Sequence, residues 1–460
     1  MNSLPANSTE LERPNWVLRG GIALCLALSF GMVAHHWNAS ITAHMAAGGG
    51  FQNRENKFAK QQATTTSSSA VGFILLGGMG AVLAWKAPPG RRRWLHPLSL
   101  LLAAYVSWCA ASYTWSDDAF LTLRKLAILL LMLAGAYGVA LRCTLADIVW
   151  SVILCLTGTL LVGFVAEISQ GMFRPWRGEY RFAGTLDPNG IGLEAATLAL
   201  ATWIVPYEGR RRTFVRVALV GLAVTVVVMT KSRTTLAALV AGGMLAMLLR
   251  ARGQQRWLIV SGAVAAACVL GLLLNFVSVA DIQDSASVAS MGRKENLSSL
   301  TGRWPLWQAV LKEADKAPIL GFGYGAFWST ERIYRYSDAF LWHIPHAHNT
   351  YLDLVLATGV VGLALYLLWA IATGVSGWLR YDRVGNPADL FVACYVALCL
   401  VHGFAESKIP GAGVTTFLLY ACGASLALKP AVAPALAETP ESAAPRPAPP
   451  LWQPSRRLSV

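Results

Sequence analysis

Twelve apolar stretches run through this chain between residues 16 and 428, and they decide what it can fold into. They fall near 16–35, 70–86, 97–114, 126–142, 147–168, 189–206, 216–230, 234–250, 257–277, 348–373, 388–405 and 412–428. Blocks of roughly 17–22 residues, at 1.5 Å per residue, match a hydrocarbon core of about 30 Å. The expected fold class is an all-α polytopic membrane protein with about twelve transmembrane helices. Composition agrees: 55% of residues are hydrophobic and 13% charged, whereas a soluble domain carries about 25% charged residues. The formal charge of +14 would suggest nucleic acid in a soluble protein. Here it fits Lys and Arg retained in cytoplasmic loops, so membrane lipids are expected partners and nucleic acid is not.

The eight cysteines, at 25, 109, 143, 155, 268, 394, 399 and 422, lie almost entirely inside apolar blocks without metal-ligand spacing. They are expected to pack as small apolar residues. The first apolar block has no convincing small-residue cleavage site and is expected to remain as a helix.

Arginine runs give the orientation. Arg91-Arg92-Arg93, Arg210-Arg211-Arg212 with Arg216, and Arg250, Arg252 and Arg256 occupy alternate connections. Placing them in the cytoplasm puts both termini inside, with Arg380 and Arg383, and predicts a bacterial inner-membrane protein. The opposite face then receives 36–69, 115–125, 169–188, 278–347 and 406–411. That face carries Arg124, Arg174, Arg177, Arg181, Arg233, Arg293, Arg303, Arg332 and Arg335. Long translocated loops carry charge freely, but Arg124 and Arg233 stand at or beside the starts of apolar blocks, where a cation is costly unless it snorkels or binds an anion. Several such arginines on one face point to an anionic ligand.

Residues 1–428 are read as one transmembrane domain with an outer loop at 278–347. The Ala/Pro-rich tail, 429–460, is expected to be disordered and cytoplasmic. Segment 36–69, with Gly48-Gly49-Gly50 and a Thr/Ser run, is expected to be mobile. Within the outer loop, Trp304, Trp307 and Leu311 fall at i, i+3 and i+7, a spacing that predicts an amphipathic helix with tryptophans at headgroup depth. Gly321-Phe322-Gly323-Tyr324-Gly325 then breaks it. The strand–turn–helix setting of a nucleotide loop is missing.

The segment His-Ala-His-Asn-Thr-Tyr-Leu-Asp, 346–353, carries the chemistry. An imidazole with an ordinary pKa near 6.5 accepts a proton at neutral pH, which makes His348 a candidate general base. A capping histidine or one satisfied by headgroups is the alternative. Asn349 and Asp353, at i and i+4, would share a helical face. Gly359 and Gly362, one turn apart, predict a small face for a neighbouring helix. Glu406 is a carboxylate at an outer helix end, which Lys408 would pair with in the plain reading. His346 and His348 point apart if helical, and no third ligand has clear spacing, so no metal and no cofactor is expected.

His348-Asn349, nine residues and Gly-Val-Val-Gly, following a large loop, resemble the O-antigen ligase / Wzy polymerase superfamily. Tyr113-Thr114-Trp115-Ser116-Asp117 with Arg124 looks like that family's Trp-Ser segment and arginine. Gly184-Thr185-Leu186-Asp187-Pro188-Asn189 looks like its Pro-Asn element, and Lys231-Ser232-Arg233-Thr234 like its Ser-Arg pair. Thr301-Gly302-Arg303 through Trp307, then Leu320 through Trp328, look like the loop before the histidine. The resemblance implies a GT-C-like architecture and metal-independent glycosyl transfer on the periplasmic face. The donor would be a glycan on undecaprenyl pyrophosphate, and the acceptor a sugar hydroxyl on a growing glycan or on lipid A-core. It implies His348 as base and Arg233 and Arg303 as pyrophosphate ligands. Arg124, Arg181, Asn189, His346, Asn349, Asp353 and Glu406 are further substrate-binding candidates. Polysaccharide export and chain-length proteins would be the partners.

Two classes of function follow. In the enzyme class, the loop motifs resemble exopolysaccharide polymerases of the ExoQ type more than enteric ligases, while the histidine motif fits both. The other class is a carrier for an anionic lipid or sugar. Carriers concentrate charge near the midplane on broken helices, whereas here charge gathers at one face.

Overall fold

The computed structural model describes residues 15–46, 70–87, 95–177, 180–205, 210–255, 303–340, 342–408 and 410–429. Every regular element among them is helical. The elements are α1 (Trp16–Ala46), α2 (Ala70–Trp85), α3 (Pro97–Ala111) with a short 3₁₀ turn at Ser112–Trp115, α4 (Ala119–Arg142), α5 (Leu145–Ser169), α6 (Pro188–Ile204), α7 (Arg210–Met229), α8 (Arg233–Arg250), α9 (Arg303–Ala314), α10 (Thr330–Phe340), α11 (Thr350–Val384), α12 (Pro387–Gly403) and α13 (Val414–Leu428). Each expected apolar block is a helix except 257–277, which lies outside the described residues together with 47–69, most of the loop to 302 and the tail from 430. Helix α1 continues to Ala46, past the loop boundary expected at 36.

Among the described residues, five helices are long and apolar enough to cross a membrane by length and composition: Pro97–Trp115, Ala119–Arg142, Leu145–Ser169, Arg233–Arg250 and Thr350–Val384. The shorter apolar helices complete the bundle around them. Helices α6, α12 and α13 are buried along nearly their whole length, and α12 packs against α11, α8 and α6. Local chemistry sets the boundaries. Asp118, Thr144, Asp187, Ser232, Asn349 and Asn386 each accept a backbone N–H at a helix start, and Thr144 with Asp147 forms a reciprocal capping box.

The 303–340 region forms a cap with its own small core. Leu306, Val310 and Ala314 on α9 pack with Phe327, Tyr336, Ile344, Ala347 and Leu356. The helix expected at 303–311 is present, with Trp304 and Leu311 of the tryptophan stripe 52% and 45% exposed and a different stripe turned to the protein. Val310 follows Leu306 by four residues and Ala314 follows Val310 by four, so the stripe facing protein, not the tryptophan stripe, fixes the helix.

Helix α11 is interrupted at Gly359, where φ is 66° and ψ −173°. The backbone groups freed there are taken up by the cap and by α3. Phe322 N–H donates to the Leu356 carbonyl at 2.8 Å, Val360 N–H to that of Pro318 at 2.9 Å, and Trp108 Nε1–H to that of Thr358 at 2.9 Å. At membrane depth such groups need protein partners. A Cβ at Gly359 would run into the Ile319 backbone, and one at Gly321 (φ 68°) into the backbone of 357–359. Gly359, expected to be half of a helix-packing face, instead lets loop 318–322 enter a broken helix, while Gly362 faces Trp108 of α3.

Candidate functional site

The starts of α4, α6, α8, α11 and α13 gather at the end of the bundle that holds His348. Helix N-termini carry partial positive charge, so this end is electropositive before any side chain is counted. The opposite end holds Arg19, ion-paired to Asp147 at 2.6 Å, and Arg380, paired to Asp389 at 3.4 Å.

His348 lies outside α11, because that helix begins only at Thr350. Its φ of 51° is left-handed, uncommon for a residue with a Cβ. Neighbours fix this turn. His348 N–H donates to His346 Nδ1 at 3.2 Å, and Asn349 N–H to Ser407 Oγ at 2.8 Å. The Asn349 side chain accepts from Tyr351 and Leu352 N–H and donates to the Phe404 carbonyl at 3.0 Å. Asn349 is therefore committed to capping α11 and fastening it to the end of α12. Asp353 Oδ1 accepts from Trp328 Nε1 at 2.7 Å and Ala347 N at 3.0 Å, which ties the histidine loop to the cap.

Glu406 is the hub. It is 1% exposed and lies just beyond α12. Its Oε2 faces His348 Nδ1 at 3.3 Å, and its Oε1 accepts from Asn189 Nδ2 at 2.5 Å and from the Arg303 guanidinium. Arg181 completes the chain, donating to Asn189 Oδ1 at 3.0 Å and to the Thr230 carbonyl at 2.9 Å. Burial alone would raise the Glu406 carboxyl. The hydrogen bond from His348 and the charges of Arg303, His348 and Lys408 outweigh it and hold that carboxyl below the usual range. With Nδ1 turned to a carboxylate, the other ring nitrogen is the basic face, and His348 Nε2 is buried without a hydrogen-bond partner among the described residues. That is the arrangement of a general base oriented by an acid.

Lys408 does not pair with Glu406 in the way its spacing suggested. Its Nζ donates to Asp187 Oδ2 at 2.5 Å. For Asp187, burial pushes the pKa up but Lys408 and two backbone N–H groups pull it below the ordinary value. For Lys408, burial pushes down but Asp187 and Glu406 hold it above. Both groups keep some exposure, 22% and 24%, so Lys408→Met is expected to cost about 3 kcal/mol, the low end for breaking a buried pair. Thermal unfolding of Lys408→Met, Asp187→Asn and the double variant checks this: the double should cost less than the sum of the singles.

A cavity of about 760 Å³ adjoins this cluster on the other side of the histidine loop. His346, Asp353, Thr350 and Ser407 form the shared wall. Leu121, Arg124, Lys125, Ile128, Leu129 and Met132 of α4 also line it, at i, i+3, i+4, i+7, i+8 and i+11. One helical face thus runs from two cations near the helix start to apolar residues deeper in the bundle.

The structure therefore brings His348, Arg303, Asn189, Arg181 and Glu406 into one connected network, with Asn349 and Asp353 as its fasteners. Arg124 lies across the cavity, separate from that network, and Arg233 opens α8, three residues beyond Thr230. Lys125 and Asp187 were missed. Lys125 stands beside the more conspicuous Arg124, and Asp187 pairs with a residue 221 positions away. Among the described residues no group of three or more His, Cys, Asp or Glu is arranged to hold a metal ion.

Helical structure throughout the described residues, with several apolar helices of membrane-spanning length and a buried His–Glu–Arg network at one end, defines a multi-pass membrane protein. Residues 191–367 match the family described as O-Antigen ligase. The exopolysaccharide production protein ExoQ of Rhizobium meliloti (strain 1021) is 35% identical over 137 residues, a match covering 27% of this chain and 30% of that relative. The family region contains Arg233, Arg303, His346, His348, Asn349 and Asp353. Arg124, Arg181, Asn189 and Glu406 fall outside it.

Proposed function

We propose that the protein transfers a glycan from undecaprenyl pyrophosphate to a sugar hydroxyl at the periplasmic face of the inner membrane, extending an exopolysaccharide or O-antigen. The observation that carries this reading is the sharing of one buried carboxylate, Glu406, between His348 Nδ1 and Arg303. His348 Nε2 takes the proton of the acceptor hydroxyl as its oxygen attacks the anomeric carbon, and Glu406 stabilises the imidazolium that forms. The bond to the lipid pyrophosphate breaks on the opposite side, which inverts the anomeric centre.

Departure of that anion needs positive charge. Arg303 and Arg181 are already committed to Glu406, Asn189 and the Thr230 carbonyl, so the pyrophosphate is assigned to Arg124 and Lys125 at the cavity and to the helix N-termini around it. The apolar stripe below them on α4 suits the first isoprene units. The positive-inside pattern supports a periplasmic site with both termini in the cytoplasm.

Surface-glycan analysis of a deletion strain carrying His348→Ala tests the reading. Loss of polymer is expected while lipid-linked repeat units still reach the periplasm. Repeat units held in the cytoplasm would indicate a carrier instead. Intact polymer no longer joined to lipid A-core would indicate a ligase, the reading that the family description favours.

A further inference from the structure

The His346 ring sits between the cavity and the His348–Glu406 dyad, and its bonding restricts what it can do. The two rings lie 4.1 Å apart, centroid to centroid. His346 Nδ1 accepts the backbone N–H of His348 at 3.2 Å, so that nitrogen carries no proton and the hydrogen of the neutral ring resides on Nε2. No other hydrogen bond of this ring forms among the described residues, and His346 is part of the cavity wall.

We propose that His346 is a positioning residue with two ends: Nδ1 holds His348 in the left-handed turn that aims it at Glu406, while Nε2–H donates to a phosphate oxygen of the lipid pyrophosphate in the cavity. This inference rests on the glycosyl-transfer reading above and assigns one more contact within it. A bond from ring to backbone two residues on is what stabilises a non-glycine residue at φ 51°. Burial, then the neighbouring charges of His348, Lys408, Arg303 and His343, hold the His346 pKa well below that of an ordinary imidazole. A neutral ring keeps both its acceptor and its donor, and proton uptake falls to His348 alone.

Asparagine and glutamine separate the two ends. His346→Asn can place a carbonyl oxygen near the Nδ1 position but does not reach the cavity. His346→Gln can place an amide N–H near the Nε2 position but loses the short-range acceptor. With purified protein and lipid-linked repeat units, His346→Asn is expected to keep kcat within a few-fold of wild type. Its KM, and the inhibition constant for glycan-free polyprenyl pyrophosphate, should rise about tenfold, the loss of one hydrogen bond. His346→Gln should keep both constants and lose about 100-fold in kcat, as expected when a reacting group is misaimed. His346→Ala should show both defects, and thermal unfolding in detergent confirms that each variant folds. Equal behaviour of the Asn and Gln variants, or a wild-type Ala variant, overturns the inference. If His348→Ala itself retains transfer, the enzymatic reading fails instead, whatever the His346 variants do.

Discussion

Glu406→Gln should abolish most transfer while leaving the protein folded. The amide can still accept from Arg303 and Asn189, so the network keeps its shape. It cannot offset the positive charge that appears on His348 when the base takes a proton, and the expected loss in kcat is about 10²–10³-fold, within the range of general-base contributions. A turnover assay on lipid-linked repeat units, with thermal unfolding as control, checks it. Unchanged turnover would mean that Glu406 serves only as a strut for Arg303. The pH dependence has a definite sign. The Glu406 carboxyl is held below its ordinary value in the folded protein, so its contribution to stability is fully present above the unfolded-state pKa and is lost as pH falls through the lowered folded value. Between pH 6 and 8 this carboxylate therefore stays charged, and activity changes there report other groups.

Gly359→Ala is expected to be the most damaging single change away from the dyad. A φ of 66° with ψ near −173° is a backbone region essentially reserved for glycine, costing about 1–3 kcal/mol for other residues. The added Cβ would also meet the Ile319 backbone, which cannot rotate aside. The combined cost should exceed about 3 kcal/mol and appear as a lower unfolding temperature and reduced protein in the membrane. Gly362→Ala tests a different contact, the Thr358 side chain, at a position where the helix is not interrupted. If Gly359→Ala unfolds no earlier than Gly362→Ala, the interrupted helix is not strained in the way described.

How much of this was visible in the sequence depends on how far apart the cooperating residues are. Apolar blocks foretold the helices, because membrane-length hydrophobic runs leave the backbone little choice. His348 was legible from its short motif, and Arg303 from resemblance. Their shared use of one carboxylate was not. Glu406 lies 58 residues from His348 and 103 from Arg303, and Lys408 stood beside it as a nearer and misleading partner. The glycine pair at 359 and 362 has the spacing of a helix-packing face, and spacing cannot show that one of the two has left the helix.

The seam between loop 318–322 and the interrupted helix bears on how the chain is assembled. The loop is synthesised before the helix whose exposed carbonyls and amide it completes, so it must wait at the membrane surface until the later segment arrives. Residues 350–358 make too short a piece to insert stably by themselves. Biogenesis of the end that holds His348 should therefore be a late, all-or-none docking, with the histidine brought into register by the same step that seals the gap.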